Sequence, residues 1–563
     1  MNQPAEFLLV SNFNLSNFAT LFGKDAEPPL VHAIAAPYGQ VMQTLLHPGP
    51  DSWAATLTGA IVWTSPEGIS ANYSRLCAGE EVPSADLLCD VDHFCAALKK
   101  IPGHVNYIII PAWPTGSYEG RLGLLDLDAR RGISLALMRM NLRLAEVAQS
   151  DLRIVVLDTN RWVAVHGERS FGTRLWYMSK TPYTAEFFTV AVQEIKAAYR
   201  ALRGQSRKLL VLDLDDTLWG GIVGDVGWQN LRLGGHDATG EAYVDFQRQL
   251  QAMKKRGVLL GIVSKNEETI AREAMRSHPE MILRERDFAG WRINWQDKAQ
   301  NIANLVRELN LGLQSVVFID DNPAERDRVR KALPDVFVPD WPANAMDFRA
   351  ALSRLTCFDA PLVSDEDRRR TETYAAERMR QEERTQLGSV GDWLQTLAIC
   401  VVAEPVSRAN LGRTAQLFNK TNQMNLSTRR LSEEELWSWS GEAQNRLLAF
   451  RVSDKFGDYG LVGIASIVLL GASGQAARMV DFVLSCRVMG RAVEETMLHV
   501  LAEAARAAGT RELIAEYLPT AKNQPCLRFL ETAGFSRKPD SNLFMLPLEA
   551  PYPRPTAINL IRA

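Results

Sequence analysis

Apolar runs of strand length recur along the first two-thirds of the chain and alternate with stretches of helical periodicity. The earliest are Phe7–Val10, Val105–Pro111 and Ile154–Leu157. Continuous apolar strands that alternate with helices are typical of parallel sheets covered on both faces. Residues 1–205 are therefore predicted to form an α/β domain. The Ser11–Asn14 turn lies where such folds often bind ligands, but no complete catalytic set can be assembled around it, which favours a structural role.

A second α/β unit is predicted at residues 206–360. Its strands are Leu209–Leu214, Val258–Val263 and Ser315–Ile319, and helical patterns such as Ala242–Arg256 and Lys298–Leu309 lie between them. Strands separated by helical crossovers predict a Rossmann-like parallel sheet. The carboxyl ends of these strands are then the expected place for a ligand.

The remainder of the chain has a different pattern. A highly charged stretch at 361–386 predicts a solvated linker helix. Residues 387–550 begin with β-type runs and then contain a helical pattern at Ala492–Ala508 and a strand at Glu512–Tyr517, which predicts an α+β domain. Residues 551–563 begin with three prolines in five positions and are predicted to be an extended tail. The chain is thus expected to have three domains.

Composition restricts the classes of function. The 563 residues are 46% hydrophobic and 23% charged with a net charge of −3, which is ordinary for a globular protein and leaves no basic footprint for nucleic acid. No run approaches about 18 uninterrupted apolar residues, so no membrane span is expected. The seven cysteines include no C-x-x-C pair, which favours reduced thiols and a cytoplasmic location.

Two carboxylates stand at the end of the first strand of the second unit. Asp213 and Asp215 are two positions apart, so the alternation of a strand directs both side chains to the same side. One acid can attack phosphorus while the other gives and takes a proton, with a divalent cation between them. Thr217 adds a hydroxyl, and Gly220 permits a tight turn. The alternative is a strand that ends in solvated acids.

Three further pieces follow at the ends of later strands. Ser264 can donate to a phosphoryl oxygen, and Lys298 can offset charge between carboxylates and phosphate. Asp320 and Asp321 offer the hard oxygen ligands that Mg²⁺ prefers. The spacings leave no room for a large cap domain, so the site is expected to be open and suited to a substrate carried on something large.

This ordered set resembles the haloacid dehalogenase (HAD) superfamily of phosphotransferases. The resemblance implies a capless HAD-like domain in which Asp213 becomes an aspartyl phosphate and Asp215 is the acid and base. It also implies that Ser264 and Lys298 steady the phosphoryl group. Mg²⁺ would be held by Asp213, the Asp215 backbone carbonyl, and Asp320 or Asp321, which the sequence does not distinguish. A degenerate HAD fold without activity is the alternative.

Longer segments around these motifs resemble the FkbH family, bacterial enzymes that make the glyceryl-carrier protein used as a polyketide building block: 212–225, 263–266, 318–325 and 419–425. The resemblance implies D-1,3-bisphosphoglycerate as donor and the phosphopantetheine thiol of an acyl carrier protein as acceptor. Thr217, Gly220 and Asn266 are expected to contact the substrate. Val226 departs from the family pattern, which tends to be acidic there. The first domain, of flavodoxin-like or SGNH type by resemblance, is expected to position the carrier or brace the site.

The third domain resembles the GNAT acyltransferases. Its R-x-x-G-R-A turn before the long helix looks like an acyl-CoA-binding loop, which implies that Arg487, Gly490 and Arg491 contact the substrate. Cys486 precedes this loop, and the nearby arginines and helix start are expected to lower the pKa of its thiol, which makes it a candidate nucleophile. The alternative is a small buried apolar residue.

Two rival functions are compatible with these motifs. One is a phosphatase fused to an acetyl-CoA-dependent N-acetyltransferase, which predicts amine acetylation without a carrier protein. The other is a non-catalytic scaffold that gathers carrier proteins, which predicts that loss of the Asp213 carboxylate has no effect.

Overall fold

A computed structural model of the chain describes residues 4–361 and 390–563, with gaps at 48, 50–52, 116–121, 152, 310, 422–423, 428, 430, 471–475, 521–522 and 540. The chain forms two compact units, Met1–Arg368 and Arg369–Ala563. The first unit contains the first two predicted domains, each with its own sheet. The predicted linker helix lies outside the described residues except at Pro361. Every helix among the described residues is too short or too polar to cross a bilayer.

The first sheet has five parallel strands in the order β2-β1-β3-β4-β5. They are β1 (Ala5–Val10), β2 (Val31–Ala35), β3 (Gly59–Val62), β4 (Tyr107–Pro111) and β5 (Ile154–Leu157). Its helices are α1 (Ser16–Lys24), α2 (Val41–Leu46), α3 (Ala71–Cys77), α4 (Ser84–Leu98), α5 (Ile133–Ala148), α6 (Thr159–His166), α7 (Thr173–Ser179) and α8 (Ala185–Leu202). Successive side chains of β1 pack into two different hydrophobic cores. Phe7 and Leu9 belong to one core, and Leu8 and Val10 belong to the other. This strand order is that of flavodoxin-like sheets, and the α/β fold predicted here is confirmed.

Two strands of this sheet were not predicted from the sequence. In β2, an edge strand, only Val31 and Ala33 are buried. β3 has 4 residues and begins with Gly59, where an added Cβ would lie 2.4 Å from the Phe7 ring. Short runs with few large apolar residues do not stand out from loops by periodicity.

The second sheet has four parallel strands in the order β8-β7-β6-β9. They are β6 (Leu209–Leu212), β7 (Leu259–Ser264), β8 (Gly290–Ile293) and β9 (Val316–Ile319). The helices are α9 (Val223–Val226), α10 (Ala238–Lys255), α11 (Glu268–Ser277), α12 (Lys298–Glu308), α13 (Pro323–Ala332) and α14 (Phe348–Ser353). The three predicted strands are confirmed, each with its end shifted by no more than two residues. The edge strand β8 was missed because Trp291 and Arg292 are partly exposed.

The second unit has a mostly antiparallel sheet in the order β16-β17-β15-β14-β13-β12-β10-β18, with β11 paired to β14. Its strands are β10 (Ile399–Pro405), β11 (Met424–Asn425), β12 (Asn445–Asp454), β13 (Gly457–Leu470), β14 (Ala476–Leu484), β15 (Glu512–Glu516), β16 (Ser536–Arg537), β17 (Leu543–Pro547) and β18 (Ile558–Arg562). Its helices are α15 (Val390–Thr396), α16 (Leu411–Lys420), α17 (Glu433–Ser440), α18 (Val493–Ala507) and α19 (Gln524–Thr532). The sheet and helices form the α+β arrangement expected for this region.

The predicted extended tail is wrong at its end. Ile558–Arg562 forms β18, which pairs in parallel with β10 from Ile399 to Ala403. Ile558 is 3% exposed and belongs to the core of the second unit. The prolines before it interrupt regular structure, but the apolar residues after them add an edge strand.

Candidate active site

The carboxyl edge of the second sheet brings the predicted site residues together. Asp213 directly follows β6, Ser264 is the last residue of β7, and Asp320 directly follows β9. Because β6 lies between β7 and β9, Asp213 stands at the centre of this edge. Lys298 reaches the same edge from the first turn of α12.

Three carboxylates cluster at this edge. Asp213, Asp320 and Asp321 each offer an oxygen, and these oxygens lie within 4.8 Å of one another. Asp213 Oδ1 is buried and has no hydrogen-bond partner among the described residues. Hard oxygen ligands at this spacing, together with an unsatisfied oxygen on Asp213, fit a divalent cation such as Mg²⁺.

Lys298 supplies one positive charge to this cluster. Its Nζ lies 2.8 Å from Asp213 Oδ2 and 2.6 Å from Asp320 Oδ2, and the residue is 3% exposed. Burial alone lowers the pKa of Lys298, but the charges of Asp213 and Asp320 outweigh it and raise the pKa to about 12. Burial and the charge of Asp213 raise the pKa of Asp320. A single ammonium facing three carboxylates leaves negative charge for a metal ion to neutralise.

Asp215 is held apart from the carboxylate cluster. Trp219 Nε1 and the Val223 N–H donate to its Oδ1 at 2.9 Å and 3.1 Å, and Asn266 Nδ2 donates to its Oδ2 at 2.8 Å. Burial raises the pKa of Asp215, although these hydrogen bonds oppose the shift. Its side chain is not in the cluster that could hold a metal, so only the predicted role of its backbone carbonyl remains.

The predicted substrate contacts have internal partners in the structure. Thr217 Oγ1 donates to Asp321 Oδ1 at 3.3 Å and accepts the Asp321 N–H at 3.2 Å, so it orients an acid of the cluster. Asn266 bonds to Asp215, as described above. Gly220 pairs with the backbone of Arg232, and an added Cβ would lie 2.9 Å from the Tyr243 ring, so close packing requires glycine there.

Sequence analysis did not predict that Trp219 contacts Asp215. Its indole is fully buried. The signal was its position four residues after Asp215, which brings the indole back to that carboxylate across a tight loop. Asp216 within this loop has a φ of 50°, a left-handed conformation that aspartate adopts more readily than most residues.

The predicted acyl-binding loop is largely bonded within the second unit. The Gly490 N–H donates to Glu494 Oε1 at 2.7 Å, and Arg487 Nε donates to Ser485 Oγ at 3.2 Å. Arg491 is 5% exposed and donates to the Tyr459 hydroxyl. Cys486 begins a 3-10 turn, but its side chain lies outside the described part of the structure, so its role stays a prediction.

β11 pairs with the part of β14 that lies beyond its pairing with β15. β14 and β15 run in parallel and pair only from Ala476 to Met479, and Val483–Leu484 farther along β14 pairs with β11 instead. Because β13 pairs with the other edge of β14, β11 lies on the β15 side. Asn523, which directly precedes α19, donates from Nδ2 to the Asn425 carbonyl of β11 at 3.1 Å. β11 therefore occupies this edge of β14 at Val483 and Leu484.

Glu494→Gln is expected to stabilise the second unit more at pH 8 than at pH 5. Burial raises the pKa of Glu494 to about 7, and its Oε2 has no hydrogen-bond partner among the described residues. Since the folded-state pKa lies above the ordinary value of 4.5, stability falls as the pH rises through this interval. We expect a gain of about 1–3 kcal/mol at pH 8, measured by hydrogen exchange in α18 of the full chain. The exposed Glu531→Gln is the control, and an equal gain at both pH values would contradict the prediction.

Comparisons with known proteins agree with the site in the first unit. No protein-family model matches the chain, and no curated protein matches it. The structure is similar to the crystal structure of the N-terminal part of protein BF1531 from Bacteroides fragilis, which contains a phosphatase domain and is complexed with Mg. The two are 27% identical with a TM-score of 0.58, and the match covers 63% of this chain and 94% of that one. The first unit contains a HAD-like phosphatase fold.

Other matches cover about a quarter of the chain. Spermidine N-acetyltransferase from Vibrio cholerae, in complex with CoA and spermine, is 13% identical with a TM-score of 0.22 and covers 27% of this chain and 97% of its own. The GNAT domain of S. lividans PAT is 17% identical with a TM-score of 0.21 and covers 26% of this chain and 89% of its own. TM-scores this low support no argument about activity.

Proposed function

We propose that this chain is a Mg²⁺-dependent phosphatase that forms an aspartyl phosphate on Asp213. The observation that carries the proposal is the state of the Asp213 carboxylate. Lys298 Nζ lies 2.8 Å from Oδ2, whereas Oδ1 is buried and has no hydrogen-bond partner among the described residues. Asp320 and Asp321 each bring a carboxylate oxygen to the same cluster. A carboxylate held in this way is oriented by the lysine and still has an oxygen that can bind a cation or attack phosphorus.

Each step uses a residue that the site already orients. In the first step an Asp213 oxygen attacks phosphorus, the bond from phosphorus to the leaving-group oxygen breaks, and Asp215 protonates that oxygen. In the second step water attacks the same phosphorus, Asp215 takes the proton of the water, and the bond to Asp213 breaks to release phosphate. Ser264 and Lys298 offer donors for phosphoryl oxygens.

Mg²⁺ is the cofactor that suits this site. Asp213, Asp320 and Asp321 would hold it, and Thr217 orients Asp321. When bound, the ion neutralises charge that develops on the transferred phosphoryl group. Its removal by a chelator is expected to abolish turnover, and added Mg²⁺ should restore it.

The finer proposal concerns the substrate. We propose D-1,3-bisphosphoglycerate as donor and the phosphopantetheine thiol of an acyl carrier protein as acceptor, with glyceryl-S-carrier protein as product. The thiolate attacks the acyl carbon, the thioester forms as the bond to the acyl phosphate breaks and phosphate leaves, and hydrolysis of the remaining 3-phosphate by the HAD-like site gives the glyceryl product. The support is the FkbH resemblance of 212–225, 263–266 and 318–325 and the lack of room for a cap domain in the sequence.

A role for the second unit in acyl transfer rests on sequence resemblance alone. Cys486 remains the candidate nucleophile for a thioester relay, but Gly490 and Arg491 bond within the unit. The acetyl-CoA alternative meets the same obstacle, because its cofactor is expected at the same loop. The carrier scaffold makes no use of the buried lysine and carboxylates.

Incubation with 1,3-bisphosphoglycerate, Mg²⁺ and a holo carrier protein, followed by intact-mass analysis of both proteins, tests the proposal. A glyceryl adduct on the carrier is the expected result. Phosphate release without an adduct on either protein would support the phosphatase and refute the glyceryl transfer. Normal acylation by Cys486→Ala would refute the relay and leave direct transfer, while amine acetylation by acetyl-CoA would support the rival enzyme.

A further inference from the structure

The Asp215 carboxylate accepts hydrogen bonds from three N–H donors. Trp219 Nε1 lies 2.9 Å and the Val223 amide nitrogen 3.1 Å from Oδ1, while Asn266 Nδ2 lies 2.8 Å from Oδ2. These donors come from the tight loop after β6, from the start of α9 and from the residues after β7. The stretch that joins β6 to α9 and the residues after β7 thus meet at one side chain.

The distribution of these donors distinguishes the two oxygens. A carboxylate offers about four acceptor positions, two on each oxygen. Trp219 and Val223 use both positions on Oδ1, and Asn266 uses one on Oδ2. Among the described residues nothing occupies the remaining position, which is on Oδ2. The transferred proton therefore has one place on this carboxyl group.

The two buried tryptophans of this core differ in the contacts of their indole N–H groups. Trp219 and Trp341 belong to the same hydrophobic cluster and are both buried. Trp341 Nε1 has no hydrogen-bond partner among the described residues, whereas Trp219 Nε1 donates to Asp215. Trp341 packs as a hydrophobic residue, and Trp219 adds a polar contact to the carboxylate. The pair offers a matched comparison of tryptophans with and without that contact.

We propose that Trp219 and Asn266 are positioning residues that hold Asp215 in one orientation, with its free Oδ2 position directed to the transferred proton; this rests on the proposed phosphatase function. Their hydrogen bonds hold both oxygens of the carboxyl group and thereby fix the orientation of its plane. Asp215 can then protonate the leaving oxygen as its bond to phosphorus breaks, and later accept the proton of the attacking water, without first rotating. Neither Trp219 nor Asn266 contacts phosphorus in this proposal.

Leaving-group dependence separates positioning from a structural role. A nitrophenolate leaves without protonation, whereas an alkoxide needs the proton of Asp215. Trp219→Phe is expected to lower kcat/KM for an alkyl phosphate about 10–100-fold and for p-nitrophenyl phosphate less than about threefold. Water activation also needs Asp215, so intact-mass spectra during p-nitrophenyl phosphate turnover should show more aspartyl phosphate than in the wild type. Asn266→Ala should show the same split.

Trp341→Phe is the control, because it truncates the same side chain in the same core without removing a bond to Asp215. It should leave the ratio of the two kcat/KM values unchanged. A loss of equal size for both substrates in Trp219→Phe would overturn the proposal and make Trp219 a structural residue. A ratio that changes as much in Trp341→Phe would do the same.

A double-mutant cycle tests whether Trp219 acts through Asp215. In the Asp215→Asn background, Trp219→Phe should cause no further loss for the alkyl phosphate; an undiminished loss would contradict the proposal. A readout independent of activity is the indole N–H resonance of Trp219, identified by its absence in Trp219→Phe. It should shift in Asp215→Asn, and an unchanged resonance would overturn the contact. Wild-type protein that hydrolyses neither substrate with Mg²⁺ would refute the phosphatase function, while the resonance still decides the contact.

Discussion

Asp213→Asn is expected to lower phosphatase turnover by about 10⁴-fold or more, the largest effect of any single change in this chain. The amide cannot displace a leaving group from phosphorus, so no covalent intermediate forms. The change also removes an oxygen that faces Asp320 and Asp321, where a cation would bind. Phosphate release under saturating Mg²⁺ and intact-mass analysis for a phosphorylated protein measure both consequences.

The control for this experiment removes the same charge elsewhere. Asp347 is exposed and makes no side-chain cap to the helix that follows it, so Asp347→Asn should retain wild-type turnover. Asp213→Asn should remain folded, because it relieves the repulsion between Asp213 and Asp320 that raises the pKa of Asp320. Turnover of Asp213→Asn near the wild-type rate would exclude Asp213 as the nucleophile.

Lys298→Met is expected to cost about 3–5 kcal/mol of folding stability in the absence of divalent cations. The lysine is the ion-pair partner of Asp213 and Asp320, both almost fully buried, and methionine leaves those carboxylates without a counter-charge. Mg²⁺ should recover part of the loss, since an ion that binds the folded site stabilises it by mass action. Denaturant unfolding of the full chain with a chelator and with Mg²⁺ measures both effects. Turnover should fall as well, because phosphate loses a positive partner.

Lys265→Met is the matched control for that measurement. Lys265 immediately follows Ser264 and pairs with Glu325 at 2.6 Å, but its side chain is 39% exposed. Exposed ion pairs contribute about 0–1 kcal/mol, so this variant should unfold close to the wild type and respond no more strongly to Mg²⁺. A Lys298→Met protein as stable as Lys265→Met without cations would show that the buried carboxylates do not need the lysine.

In the second unit, two different strands pair with successive parts of one edge of β14. Its parallel pair β14 and β15 parts beyond Met479, which leaves an edge of β14 that could pair with an extended ligand. β11 takes that edge, and Asp481 on β14 strengthens the arrangement by accepting from Ser427 Oγ at 2.7 Å. Val483 and Leu484 are therefore paired within the chain on both edges.

The acid and lysine positions of the phosphatase site could be predicted from sequence because they follow strands with strong apolar signals. β6, β7 and β9 are almost entirely buried, so their boundaries were visible, and residues at the carboxyl ends of adjacent parallel strands must share one edge. The sequence did not show which of the acids belong to the carboxylate cluster. Asp320 and Asp321 both reach it, whereas the Asp215 side chain does not.

Sequence patterns alone were enough for the α/β class of the first unit and for the order of Asp213, Ser264, Lys298 and the later acid pair, since both depend on local periodicity and strand ends. Only the tertiary structure decided which atoms meet. In the tertiary structure Asn266 and Trp219 donate to Asp215, the end of the predicted tail forms β18, and β11 pairs with β14. These contacts join residues up to about 160 positions apart through side-chain direction and edge pairing, for which a linear pattern carries no signal.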